Sequence, residues 1–201
     1  MNAGNHNSTK LQTQPKIPRA IWVLVGAAFI IALGYGLIAP ILPQFAGSFG
    51  VSMAAAGAVI SVFALARLLG APGAGVLVDK LGSRPIYLTG LLIVAVSTFF
   101  VAFAQAYWQI VTLRFIAGFG STMFTLSAQA LIVRVTHPSI RGRANALYAS
   151  AFLVGNIVGP VIGAALSFLG FRAPFIIYGI AVAAAAVAVG ALTQPRPGSE
   201  P

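Results

Sequence analysis

The chain of 201 residues contains no cysteine, two histidines and only two acidic residues, Asp79 and Glu200. Without cysteine no disulfide can form, and the redox compartment cannot be read from the sequence. Protein metal sites need clusters of Cys, His or carboxylate side chains, and the sequence shows no such cluster. It also shows no pairing of a nucleophile with a base. These absences predict a protein that is not an enzyme and that uses no metal and no cofactor.

Charged residues of both signs are scarce, at 7% of the chain, against 59% hydrophobic residues. A soluble domain usually carries about 25% charged residues. A single water-soluble core does not account for this deficit, whereas a multi-span membrane protein does. The net charge of +10 does not indicate nucleic-acid binding, because the cations are dispersed between apolar runs instead of being clustered.

The apolar runs are long enough for six membrane-spanning helices, at about 20 residues per span. Residues 20–66 contain no charged side chain and hold the first two spans. The predicted helices cover residues 20–41, 53–77, 86–104, 108–134, 144–168 and 173–192. These form a six-helix transmembrane bundle over residues 20–192. Residues 1–19 are predicted to be a cytoplasmic tail, and residues 193–201 a second tail or the start of a central linker.

The distribution of basic residues predicts the orientation of the bundle. An even number of spans places both termini on one side of the membrane. Nine cations of the loops and tails fall on that side and only Arg172 on the other, so the positive-inside rule predicts a cell-membrane protein with both termini cytoplasmic. The nine are Lys10, Lys16, Arg19, Lys80, Arg84, Arg134, Arg141, Arg143 and Arg196.

Four strongly polar residues lie inside the predicted spans. An arginine within the bilayer costs about 2.5–3.5 kcal/mol on insertion scales and usually faces a cavity or a partner. Arg67 and Arg114 are therefore candidates for contact with an anion, although either could instead extend its side chain to the membrane surface. Gln129 and Asn156 could line the same cavity or form hydrogen bonds between helices. No predicted span contains Asp, Glu or His, and arginine does not deprotonate, so no embedded group can carry a coupling proton.

Small residues at a spacing of four mark the fifth span and predict close packing against a neighbouring helix. Pro160 within this stripe predicts a bend. The third and sixth spans carry almost nothing polar, and we expect them to face lipid. Bent helices in several spans favour a transporter. The stripe consists of Ala151, Gly155, Gly159, Gly163 and Ser167.

The segment between the second and third spans resembles a known motif. It is predicted to be a charged loop over residues 75–85, with Gly75, Asp79, Lys80, Gly82 and Arg84 at characteristic spacings. This pattern is similar to motif A of the major facilitator superfamily. Ser83 stands where that motif usually has a basic residue.

Further segments resemble motifs of the same family, in the family's order. Residues 113–120 are similar to motif B, and the fifth span to motif C, the antiporter signature, with Ala164 where a second glycine is common. The first span is similar to the signature of twelve-helix drug:proton antiporters, and residues 138–143 to the loop between helices 4 and 5. The matching residues are Arg114, Gly118 and Gly120 for motif B, Gly155, Gly159, Pro160 and Gly163 for motif C, and Gly34, Pro40 and Pro43 for the first span.

The resemblance implies an all-α integral membrane fold: the N-terminal six-helix half of the major facilitator fold, built from two inverted three-helix repeats. In that family, motif A is a gating element, and Asp79 would pair with nearby basic groups. Arg114 would assist proton coupling, and the motif C residues would bend the fifth span and seal it against leakage. The implied function is secondary active transport of a small solute, with drug or solute efflux in exchange for protons as the first expectation.

Members of the family have two such halves, and this chain contains one. The expected partners are the lipid bilayer, a small-molecule substrate and a second half. The chain could be a truncated or half-length transporter, could pair with a separate half-transporter, or could form a homodimer. An uptake permease and a non-transporting membrane interaction module remain alternatives. An anionic or neutral substrate is favoured over a cationic one, because this half offers no carboxylate.

Overall fold

The computed structural model describes residues 17–192, so the predictions for residues 1–16 and 193–201, including Lys10, Lys16 and Arg196, lie outside the described residues. Arg19, predicted to end the first tail, is instead the first residue of a helix. Within this range the chain is all-helical, and six of its helices are long and apolar enough to cross a membrane. The predicted all-α membrane fold with six spans is confirmed. The helices are α1 (Arg19–Ile38), α2 (Ile41–Gly47), α3 (Met53–Leu81), α4 (Ser83–Val101), α5 (Tyr107–Val135), α6 (Arg141–Leu166) and α7 (Ala173–Leu192), and 3₁₀ turns at Pro138–Ile140 and Ser167–Leu169 border α6.

The first span is shorter than predicted. It ends at Ile38 instead of residue 41, and the short helix α2 begins after a break at Pro40. Pro40 and Pro43 have no backbone N–H, so two hydrogen bonds of a continuous helix are missing within one turn. The last span, in contrast, coincides with the predicted range 173–192.

The segment predicted as a loop over residues 75–85 is almost entirely helical. Helix α3 continues to Leu81, α4 begins at Ser83, and Gly82 alone lies between them with φ +87°. Because glycine adopts positive φ without steric penalty, one residue is enough to reverse the chain. The predicted helix ends at residues 77 and 86 are therefore wrong, and Asp79 and Lys80 lie in the last turn of α3.

Two charged residues at this junction have different surroundings. The Nη2 atom of Arg84 donates a hydrogen bond of 2.6 Å to the backbone oxygen of Gly190, in the last turn of α7. Asp79 is exposed and forms no ion pair with any residue of the described range 17–192, so the expected local pairing is not seen. A carboxylate near the C-terminal end of a helix faces the negative end of the helix dipole, whereas Lys80 is favourably placed there.

Glycines allow α1 and α6 to approach each other closely. A Cβ atom on Gly155 would lie 2.7 Å from the backbone oxygen of Phe29, and one on Gly163 would lie 2.8 Å from that of Leu37. Both are shorter than normal contacts, so neither position has room for a side chain. The close packing predicted from the spacing of these glycines is confirmed, and α1 and α6 run parallel along it.

Glycines also mark where α5 meets its two neighbours. Gly118 packs against Phe63 and Ala66 of α3, and Gly120 packs against the backbone of Gly90 in α4. Thr122 adds a hydrogen bond of 3.0 Å from its hydroxyl to the backbone oxygen of Arg67. Helix α5 is therefore held on two sides by direct backbone approach.

The pairing of the spans shows two repeats. Helix α1 packs along α6 and α5 along α3, and α4 packs on α5 as α7 packs on α1. Exchanging the set α1, α3, α4 with the set α5, α6, α7 maps these pairs onto one another. Helices α1 and α5 run in opposite directions, so the two three-helix repeats are inverted, as the resemblance implied.

The helices expected to face lipid are not the most exposed ones. Half of the most apolar window of α4 is buried and 39% of that of α7, compared with 28% for α3 and 17% for α6. The two helices pack on each other and on the first helix of the opposite repeat, which covers one face of each. In this bundle the broad uncovered faces belong to α3 and α6, while α4 and α7 each keep a narrower exposed apolar face. That α4 and α7 face lipid stays a prediction.

We predict that Gly155→Ala destabilises the bundle, whereas Gly57→Ala does not. A Cβ at Gly155 would collide with the α1 backbone, and overpacking of this kind costs about 1–3 kcal/mol. Gly57 has nothing within 4 Å of the position of a Cβ, so alanine there improves only the helix propensity. Unfolding in mixed detergent micelles, followed by circular dichroism, measures both changes. Equal effects of the two substitutions would contradict the proposed role of the glycine seam.

We also predict opposite outcomes for the two charged residues at the junction of α3 and α4. Arg84→Ala should lower the free energy of unfolding by about 1–2 kcal/mol, because it removes a charged hydrogen bond to the end of α7. Asp79→Asn should leave stability unchanged or raise it slightly, because it removes a negative charge from the negative end of a helix dipole. The same unfolding assay serves here, and a loss for Asp79→Asn as large as that for Arg84→Ala would show that the carboxylate has a stabilising partner.

Candidate functional site

A cavity of about 110 Å³ lies where all six long helices meet. Helix α5 contributes Arg114, Ser121 and Thr125, which recur on one face of the helix at spacings of seven and four. The other five helices each add one or more side chains to the wall. Its lining is partly polar although the spans themselves are apolar, which is typical of a solute site in a helical bundle.

Arg114 is the buried charge of this cavity. It lies seven residues after the start of α5, about 10 Å along the helix. Its side chain is only 4% exposed, and its Nε atom is buried without a hydrogen-bond partner. Among the residues that the structure describes, none accepts a hydrogen bond from its guanidinium group.

One aromatic ring covers the guanidinium group. The Cζ atom of Arg114 lies 4.4 Å from the centroid of the Phe63 ring, and that ring also contacts Tyr35 at a centroid distance of 5.8 Å. A desolvated cation–π contact is worth about 2 kcal/mol. This is less than the roughly 2.5–3.5 kcal/mol that embedding an arginine costs, and it satisfies no N–H donor. The charge of Arg114 is therefore only partly compensated within the bundle.

The remaining polar side chains of the wall differ in whether they have partners. The hydroxyl of Tyr178 donates to the backbone oxygen of Ile31 at 3.1 Å, and Nδ2 of Asn156 donates to that of Phe152 at 3.0 Å. Thr98 is fully buried, and its Oγ1 atom has no partner among the described residues. The cavity thus contains two buried polar groups, on Arg114 and Thr98, that the bundle leaves unsatisfied.

Three of the four embedded residues proposed from the sequence meet at this cavity. Arg67, Arg114 and Asn156 line it, whereas Gln129 lies exposed on α5, away from the cavity wall. The side chain of Arg67 is itself exposed along the open side of α3.

The residues of the four motifs fall into three groups. Gly34 of the first span and the motif C residues form the contact of α1 with α6 and α7, whereas Pro40 and Pro43 lie at the break before α2 and within it. There Gly36 faces Pro160, and Gly34 lies against the ring of Tyr178. The glycines of motif B bring α5 against α3 and α4, and the residues of motif A lie at the α3–α4 junction, with Gly75 facing open space.

Sequence reasoning missed five polar side chains of the wall. Ser121 and Thr125 of α5 could have been found, because they lie on the same helical face as Arg114. Thr98 and Tyr178 belong to the two spans expected to carry almost nothing polar. Tyr178 has the single hydroxyl of α7 and could have been singled out, whereas Thr98 is one of several hydroxyl-bearing residues of α4. The five are Tyr35, Thr98, Ser121, Thr125 and Tyr178.

Comparison with known sequences agrees with this architecture. The sequence model of the Major Facilitator Superfamily matches residues 24–201. The quinolone resistance protein NorA of Staphylococcus aureus is 34% identical over 158 residues, which cover 78% of this chain and 40% of that protein. The multidrug resistance protein MdtG of Salmonella schwarzengrund is 35% identical over 165 residues, which cover 80% of this chain and 41% of that protein. The chain spans about two fifths of the length of these relatives.

Solved structures share the fold at lower sequence identity. A crystal structure of the peptide transporter POT in complex with sulfate superposes with a TM-score of 0.79 at 15% identity, covering 87% of this chain and 37% of that one. The human organic anion transporter MFSD10 superposes with a TM-score of 0.75 at 21% identity, covering 89% of this chain and 48% of that one.

In each comparison the similarity covers less than half of the transporter, as expected for a bundle with one pair of inverted three-helix repeats. The family match extends over most of the sequence, and the six spans follow the same fold. The chain belongs to the Major Facilitator Superfamily.

Proposed function

We propose that this chain forms one half of a secondary transporter that moves a small solute out of the cell in exchange for protons. The observation that carries the proposal is the cavity lined by all six spans, with the only partly compensated charge of Arg114 in its wall. The names of the related NorA and MdtG, which refer to quinolone and multidrug resistance, favour efflux of drug-like compounds. The family match favours transport, and we do not propose an enzyme.

A second helical bundle would complete the site. Helices α3 and α6 carry apolar side chains that no described residue covers. The same two helices reach the cavity through Phe63 and Phe152. Such faces need either lipid or another helical surface. The second bundle could continue from this chain or be a separate protein. The exposed side chains include Leu65, Leu68 and Leu69 on α3 and Leu153, Ile157 and Val161 on α6.

A second copy of this chain is the less favourable partner. It would bring a second Arg114 to the shared site without adding any carboxylate, since the chain has only Asp79 and Glu200. Like charges in a low-dielectric site repel strongly. A facing bundle that carries an acidic residue would compensate Arg114 and would also provide the group that takes up and releases the proton, which this bundle lacks.

The ends of the bundle support an orientation and a gating role. In the described range, six basic residues lie at the end where α1 begins and α7 ends, and only Arg172 lies at the opposite end. The positive-inside rule would place the first end in the cytoplasm. Asp79 is exposed there without a partner, and it would be stabilised by the positive N-terminal end of a helix in a second bundle. The six are Arg19, Lys80, Arg84, Arg134, Arg141 and Arg143.

Close packing of α6 on α1 supports the proposed role of the motif C residues. Pro160 removes a backbone hydrogen bond within α6, and its ring faces Gly36 of α1. Because Gly36 has no side chain, α6 can bend at Pro160 and still stay in contact with α1, without leaving a channel between them. This favours a seal against leakage beside the cavity.

Replacing Arg114 by alanine should strongly reduce transport. Proteoliposomes that contain the chain, alone or with the membrane proteins that co-purify with it, are loaded with a fluorescent quinolone and exposed to a pH gradient. We expect flux that responds to the gradient and falls at least about tenfold in Arg114→Ala, because a buried charge–anion contact is worth about 1.5–3 kcal/mol.

Thr112→Val is the matched control. Thr112 is an exposed residue of the same helix, and its hydroxyl donates only to the backbone oxygen of Trp108 within α5. Flux that does not respond to the pH gradient would refute proton exchange. Co-purification with a second membrane protein but no flux in any combination would refute transport and support an interaction module.

A further inference from the structure

Two residues that line the cavity carry unsatisfied polar groups. Arg114 has a permanent positive charge and an unpartnered Nε, and Thr98 is fully buried with an unpartnered hydroxyl. They come from α5 and α4, which are joined by the close contact of Gly90 with Gly120. That contact leaves neither helix room to shift away, so both groups stay in the wall of the cavity.

Water alone does not account for this arrangement. The cavity of about 110 Å³ is large enough for ordered water, which could satisfy the hydroxyl of Thr98 and the N–H donors of Arg114. Water does not neutralise the charge, and a buried charge without a counter-ion is strongly unfavourable. No carboxylate of the described residues lines the cavity. The counter-ion therefore has to come from outside this bundle.

The rest of the lining indicates what accompanies the negative charge. Phe124 and Phe152 line the cavity together with Phe63, and Ile31, Ile38 and Val94 add aliphatic surface. An inorganic anion would gain nothing from these side chains. An aromatic or aliphatic molecule with one carboxylate would bury its apolar part against them and place its oxygens near the guanidinium group.

We propose that Arg114 and Thr98 form a binding subsite for the carboxylate of an apolar organic anion, and that this class of compound is the solute of the transporter. Arg114 donates charge-assisted hydrogen bonds to the carboxylate, and the hydroxyl of Thr98 donates one more. The second part of the inference rests on the proposed transport function. The carboxylate could instead be a side chain of a facing bundle, and the experiments separate these two sources.

The first experiment tests the subsite in the chain itself. The protein is placed in nanodiscs of phosphatidylcholine, which carries no net charge, and titrated with 4-fluorobenzoate while the fluorine NMR signal is followed. The neutral analogue 4-fluorobenzamide has nearly the same shape. We expect saturable binding of the benzoate and at least about tenfold weaker binding of the benzamide.

Variants assign this binding to the two residues. Arg114→Gln should weaken benzoate binding at least about tenfold, and Thr98→Val, which keeps the shape but removes the hydroxyl, about three- to tenfold. Arg114→Lys keeps the charge and should bind more tightly than Arg114→Gln. Thr112→Val is the control and should bind like the unmodified protein. The subsite is refuted if benzoate does not bind or binds no better than benzamide. It is also refuted if benzoate binds to Arg114→Gln and to Thr98→Val as tightly as to the unmodified protein.

The second experiment identifies the source of the carboxylate. The proteoliposomes described above are loaded with 4-fluorobenzoate or with 4-fluorobenzamide. If benzoate is transported at least about tenfold faster and this preference is lost in Arg114→Gln, the solute supplies the carboxylate. If both compounds are transported equally and both are lost in Arg114→Gln, the carboxylate is a protein side chain and the solute assignment is refuted. Transport of other compounds without benzoate binding would refute this inference but not the proposed function. Benzoate binding without any transport would refute the proposed function and the solute assignment, and would leave only the subsite.

Discussion

The structure depends on direct backbone contact between helices at glycine. In a lipid bilayer the helices gain little from burying apolar side chains against each other, since lipid is equally apolar, so close van der Waals contact must hold the bundle together. Gly155 and Gly163 allow this along α1, and Gly118 and Gly120 allow it on both sides of α5. These contacts pair the first helix of each repeat with the second helix of the other, α1 with α6 and α5 with α3. The cavity lies between these two parallel pairs.

The same seams explain why a charged side chain can be placed in the middle of the bundle. Arg114 lies on α5 four residues before Gly118, on the helix whose glycines contact both α3 and α4. The Phe63 ring lies over the guanidinium group and excludes water from one side. An arginine in this position is stiff, desolvated and unpaired within the described residues. These are the conditions under which a charge attracts an anion strongly, because little reorganisation is needed on binding.

Much of the fold could be predicted from the sequence because a bilayer restricts the choices. Six apolar runs of sufficient length require six helices, and the last span was placed at its observed ends. The errors in the predicted helix ends lie where a single residue determines the path of the backbone. Pro40 ended α1 early, and Gly82 replaced an expected loop, since a single residue at positive φ reverses the chain without any change in composition. The broad uncovered faces of α3 and α6 could not be predicted, because polarity along a helix does not show which neighbours cover it.

The sequence by itself determined the class of the protein, the number of its spans, the close helix seam marked by glycines at a spacing of four, and the scarcity of carboxylates. These features follow from composition and from local periodicity. The tertiary structure alone decided that Thr98 and Tyr178 face the same cavity as Arg114, that Gln129 does not, and that Arg84 rather than Asp79 holds the ends of two helices together. Such choices depend on the rotation of each helix about its axis and on its pairing with helices distant in the chain, and neither is contained in the pattern of a single segment.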